Sequence, residues 1–112
     1  MQCVTTIKFT NLERSAALET QARKEIQQLE HLFPKLQSCD VTFDLPHKHQ
    51  HHGVKYEVRL HAAMFGVDFI VDHQSNEDAY IALRDAFFAA RRKLHDFEEN
   101  QRSKKITNPL SK

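Results

Sequence analysis

The sequence is poor in the residues that covalent stapling and phosphate-cradling loops draw on. Its 112 residues include two cysteines, Cys3 and Cys39, too few for a disulfide scaffold. In a reducing compartment both read as small buried hydrophobes. Neither stands at an evident helix N-terminus that would activate a thiolate. Two glycines leave no Gly-rich phosphate loop. The opening "MQCVTTIKFT" has no basic segment followed by an apolar run, so no signal peptide is expected. No apolar stretch approaches the length of a membrane span. The net charge is only +1, which excludes a protein that is basic all over. Any nucleic-acid surface has to come from local clustering of cations.

What is present is a periodic pattern long enough for one domain. "CVTTIKF" alternates and places Thr5, Ile7 and Phe9 on one face of a strand. "NLER" is a turn, and Ser15 is the expected N-cap of a long helix. Leu18, Ala22, Ile26, Leu29 and Phe33 recur at helical spacing until Pro34 closes the run. "CDVTFDL" and "VKYEVRLHA" alternate as a second and third strand around the polar loop "PHKHQHHG". "VDFIVDH" is a fourth strand. "SNED" reads as a capping box, Ser75 standing three residues before Asp78. A second helix then carries Ala79, Leu83, Phe87, Ala90, Leu94 and Phe97 on its apolar stripe. The expected fold is α+β with the order β-α-β-β-β-α. A four-stranded mixed sheet carries both helices on one face. The last five elements have the order of double-stranded-RNA-binding domains, although order alone establishes no RNA binding. Residues 1–100 form the expected domain, and 101–112 a flexible basic tail.

The richest segment is "EDAYIALRDAFFAARRKLHDF". Arg84, Phe88, Arg91, Arg92 and His95 fall near one another, away from the apolar stripe. Lys93 follows as a third consecutive cation. A solvated face is the plain reading. Against it, Phe88 sits where a core does not need it, and a guanidinium beside an aromatic ring suits phosphate contact with base stacking. The same pairing suits a protein interface. Arg23 and Lys24 on the first helix, and Lys48 in the loop, extend the candidate RNA-binding set. His47, His49, His51 and His52 have alternating spacing suited to a metal, yet the loop holds no cysteine or carboxylate to complete a tetrahedral site. The expectation is no metal and no cofactor. Asp68 and Asp72 share a strand face as an acid pair, which solvent exposure explains more simply than catalysis. Ser15, Ser38 and Ser75 read as capping or turn residues, and no enzyme is expected.

The element order and "NLERSAALETQARKEIQQLEHLFPKL" resemble the ribosome hibernation promoting factor family. Its members are also known as ribosome-associated translation inhibitors and sigma-54 modulation proteins. "NEDAYIALRDAFFAARRKL" is similar to the second-helix motif of that family, with an Asp78-x-Tyr80 opening and a basic position at Arg92. The resemblance spans roughly residues 2 to 100. It implies a non-enzymatic regulator that binds small-subunit rRNA in the mRNA and tRNA channel and holds ribosomes idle under stress. It implies a bacterial, cytoplasmic protein of the short type, with no DNA or membrane partner expected and the oligomeric state left open, a monomer being favoured. The chain departs from the family pattern at Glu25, Gln28 and Ala89, where lysines are common, and Lys93 is an added cation. A protein-interaction adaptor of the same fold and a histidine-loop metal binder are the alternative readings.

Overall fold

A computed structural model of the protein describes residues 3–46 and 55–107. Four strands and two helices follow in the order β1 (Val4–Thr10), α1 (Ala16–Leu32), β2 (Leu36–Asp44), β3 (Tyr56–Met64), β4 (Val67–Asn76) and α2 (Ala79–Thr107). The sheet order is β1-β2-β3-β4. β1 and β2 run parallel, with Phe9 opposite Phe43. β2–β3 and β3–β4 are antiparallel. This is the expected α+β architecture. A parallel pair needs a long crossover, and α1 supplies it.

One face of the sheet is apolar because every second residue is. Cys39, Val41 and Phe43 of β2, Val58, Leu60, Ala62 and Met64 of β3, and Val71 of β4 are buried. Against them lie Leu18, Ala22, Ile26, Leu29 and Phe33 of the first helical segment, and Ala79, Ala82, Leu83, Ala86, Phe87, Ala90 and Leu94 of α2. α1 lies against β1 and β2, α2 against β3 and β4, and the helices touch each other. Ser15 caps α1 by accepting from the Leu18 N–H at 3.2 Å. Phe33 ends it, as the residue before a proline is pushed out of the helical region. Phe65 and Gly66 turn β3 into β4 with φ of 57° and 76°, the left-handed pair that a two-residue hairpin requires. Gly66 adopts it freely. Phe65 does not, and its ring stacks on Phe97, centroids 6.1 Å apart.

Several boundaries differ from the sequence reading. β4 continues to Asn76, with Glu57 opposite Ser75 and Tyr56 opposite Asn76. Ser75 is therefore a strand residue and no cap. Asp78 does the capping, its carboxylate accepting from the Tyr80 N–H at 2.9 Å. α2 continues to Thr107, where a flexible tail was expected from residue 101. Residues 108–112 lie outside the described residues. Of the cysteines, Cys39 is fully buried, and burial pushes its thiol up to about 12. Cys3 is only half-buried. No helix of the described residues is long and apolar enough to cross a membrane.

The other face of the sheet is polar and rich in acids. His61 sits there between Asp40, at 3.4 Å from Nδ1, and Asp68, at 3.0 Å from Nε2. Desolvation lowers its pKa, but the hydrogen bonds to the two aspartates outweigh this and the net shift is upward. A raised folded-state pKa stabilises the fold at pH values below the unfolded value of about 6.5. That contribution is lost as pH rises through the folded pKa. His61→Gln should therefore lower stability most near pH 5.5, with the gap closing towards pH 8.5. An exposed pair of this kind is worth at most about 1 kcal/mol. Urea denaturation of both proteins across that range measures it. A gap that widens with pH would refute the assignment.

Candidate nucleic-acid interface

α2 presents two different surfaces because successive residues are turned by about 100°. Phe87 faces the core and Phe88, one residue on, is 53% exposed. From Phe88 the spacing of three and four residues brings Arg84, Arg91, His95 and Glu98 onto the same side. Two guanidiniums flank the Phe88 ring, Arg84 with its carbon 5.9 Å from the centroid and Arg91 at 5.5 Å. The contacts hold both cations over the ring by its quadrupole, whose face is negative. Arg91 is half-buried, and its Nε lacks a hydrogen-bond partner among the described residues. Arg92 is exposed.

α1 supplies the facing wall. Leu32, 50% exposed, and Phe33 join Phe88, Arg91, Arg92, His95 and Glu98 around a groove of about 440 Å³. A second groove of about 470 Å³ continues from it between the helices, lined by Lys24, Gln27, Gln28, His31, Leu32 and Arg91. Arg91 and Leu32 belong to both, so one trough runs along the α1–α2 seam. Lys24 enters the site through this packing, and Gln28 lines the same wall. The trough has an apolar floor and a cationic rim. Arg84 is drawn towards Asp85 at 3.7 Å, and His95 towards Asp96 and Glu99 at 3.9 and 3.7 Å. Exposed pairs at such distances hold weakly, leaving these side chains available.

Not every expected residue joins the trough. Lys93 is exposed but stands about 200° around α2 from Arg91, and it lines neither groove. Residues two apart on a helix point to nearly opposite sides, whereas the neighbours Arg91 and Arg92 still share the groove. Arg23 lies on the other side of α1, lining a recess with Thr5, Ile26, Gln27 and Glu30. It bonds Glu19 at 3.1 Å, and Arg14 holds the same carboxylate at 2.7 Å. The hydrogen bonds from Arg14 and then Arg23 lower the Glu19 pKa. Lys48 and the four histidines of the loop lie outside the described residues. The sequence reading missed Leu32 and His31 as site residues. The signal for Leu32 was an apolar residue outside the α1 stripe, next to Phe33.

The outward side of the sheet has the opposite character. Asp40, Glu57, Asp68 and Asp72 stand there against Lys8, Arg59 and His61, as the alternation with the buried positions dictates, while Asp44 is buried and held by Asn11 and Arg59. Asp68 and Asp72 are exposed, and Asp68 is engaged with His61. The outward sheet face is acidic on balance, whereas the helices carry both signs, seven acids beside nine lysines and arginines, and their cations gather locally along the trough.

Comparison with known proteins fits this shape. The fold is similar to a ribosomal subunit interface protein from Coxiella burnetii, with a TM-score of 0.73 and 12% identity over 85% of this chain and 97% of that one. It is also similar to the N-terminal domain of Thermus thermophilus Protein Y, with a TM-score of 0.69 and 18% identity over 87% of this chain and 99% of that one. No match was found among curated proteins. The family model described as sigma 54 modulation protein / S30EA ribosomal protein matches residues 5–102. That match takes in both helices up to residue 102 and all four strands, and the chain belongs to this family.

Proposed function

We propose that the protein is a non-enzymatic, cytoplasmic regulator that binds small-subunit rRNA in the mRNA and tRNA channel and inhibits translation under stress by occupying that channel. The observation that carries the reading is the α1–α2 trough, where Lys24, Arg91 and Arg92 surround exposed aromatic and apolar surface. The local cations of the trough, set against an acidic sheet face, give the orientation. Phosphates approach the helical side, and the acidic sheet face repels them. Membership of the S30EA ribosomal protein family, and likeness to a ribosomal subunit interface protein, favour the ribosome over other RNAs. Occlusion needs no chemistry, only a rigid body with a salt-sensitive grip.

Sedimentation of the protein with purified small subunits through sucrose, at rising salt, tests this. Each neutralised phosphate releases condensed counterions, so log K falls with log salt at a slope of roughly 0.7–0.9 per phosphate. With Lys24, Arg91 and Arg92 engaged, raising salt from about 50 to 200 mM should weaken association roughly twenty- to fortyfold. Association that ignores salt would favour the protein-interaction adaptor. In that case the exposed Leu32 and Phe88 would meet a protein instead.

A further inference from the structure

We propose that the groove around Phe88 is a subsite for one unpaired nucleobase, stacked on the Phe88 ring and read at its edge by Glu98. The inference rests on the RNA-binding reading above and adds what part of the RNA enters. Phosphate recognition alone does not account for the residues present. It needs cations, and has no use for a phenylalanine that is 53% exposed or for Leu32 and Phe33 beneath the cationic rim. It is opposed by Glu98, the one acid among the residues lining this groove.

A nucleotide satisfies all of these groups together. Its base offers a π-face to Phe88 and apolar surface to Leu32. Its phosphates fall to Arg92 and, along the trough, to Lys24. Arg84 and Arg91 lie over the ring, so an entering base displaces one guanidinium outward from the ring face, and that guanidinium's planar face then stacks on the base's other side. A carboxylate only accepts hydrogen bonds. Glu98 therefore selects a base edge that donates, as the exocyclic amino groups of adenine, cytosine and guanine and the ring N3–H of uracil do, and it disfavours a bare phosphate. The groove volume of about 440 Å³ lies within the roughly 300–1,000 Å³ of small-molecule sites. An apolar peptide side chain fits less well. It would cover Phe88 and Leu32 while desolvating Arg91, Arg92 and His95 with nothing to bond them, and unpaired buried charge is costly. The base must be unpaired, since a duplex hides its faces in the stack.

The test uses the full chain and short single-stranded RNA, a uridine tract with one central adenine, the same strand with an abasic site there, and a 2-aminopurine version. Fluorescence anisotropy gives affinity, and 2-aminopurine quenching reports stacking. The adenine strand should bind roughly five- to a hundredfold more tightly than the abasic strand, the range of one stacked base. Phe88→Ala should erase that preference and the quenching while leaving the salt slope unchanged. Phe88→Trp should keep both. Glu98→Ala should reduce the preference for the adenine strand over the abasic strand while leaving the 2-aminopurine quenching in place. Equal, salt-dependent binding of the adenine and abasic strands would overturn the subsite and leave the ribosome reading standing. If neither strand binds but small subunits still co-sediment, the subsite is overturned and a ribosomal protein is the contact. If small subunits fail to co-sediment as well, both readings fall.

Discussion

Reversing Arg91 and Arg92 together to glutamate should lower small-subunit affinity by roughly 10²–10⁴. A hydrogen bond to a charged group contributes about 1.5–3 kcal/mol. Losing two costs about 3–6 kcal/mol, and each 1.4 kcal/mol is a factor of about ten. Arg92 is exposed, so its reversal should leave the fold unchanged within about half a kcal/mol. Arg91 is half-buried against Phe88, and its reversal removes packing as well as charge. The double variant therefore needs a folding control by circular dichroism. Lys93→Glu is the internal comparison. It makes one such reversal, half the charge change of the double variant, one residue further on but on the flank of α2 that the trough does not reach. Its loss should stay within about threefold, the effect of a screened charge about a Debye length away. A double reversal that co-sediments like the unmutated protein would make these cations a solvated face.

That contrast also marks where the sequence was legible. Burial is periodic, and period is what a sequence displays. The stripe Leu18, Ala22, Ile26, Leu29 and Phe33 and the alternation through Cys39, Val41 and Phe43 are buried in the structure because helix and strand each repeat the inward direction. Ser15 was readable as a cap because its hydroxyl acts on a backbone amide three residues away. Ser75 was misread for the complementary reason. Its local pattern fits a capping box, but a ladder to Glu57, eighteen residues earlier, keeps it in β4, and tertiary pairing overrides local propensity. Within α2 the site was legible from spacing, and on α1 only Lys24 of its lining was among the expected residues. Lys24 and Leu32 reach it because α1 packs beside α2, which no spacing in α2 reveals. Arg23 leaves it because α1 turns it towards β1 and Glu19. Three adjacent cations look like one patch in a sequence and are spread around a helix in space.

The adjacent pair Phe87 and Phe88 gives the sharpest test of the α2 register. Phe87→Ala should destabilise the fold by about 3–5 kcal/mol, the cost of emptying a phenylalanine site in a core that cannot collapse around it. Phe87 is 2% exposed, packed within a core that both helices share with β2, β3 and β4. The whole domain is worth about 5–15 kcal/mol, so the loss is a large part of its stability. The midpoint of thermal unfolding should fall by at least about 10 °C, since each kcal/mol moves a domain of this size by about 4 °C. Phe88→Ala removes the same atoms one residue later. It should change stability by about half a kcal/mol or less, because its ring already meets water and loses only weak contacts with Arg84 and Arg91. The two variants should therefore dissociate stability from binding, Phe87→Ala unfolding early and Phe88→Ala folding normally with weakened RNA contact. Thermal and urea melts of both, run beside the binding assay, measure this. Equal losses of stability would show that α2 is rotated from the register described, and would move Arg84, Arg91 and His95 off the trough with it.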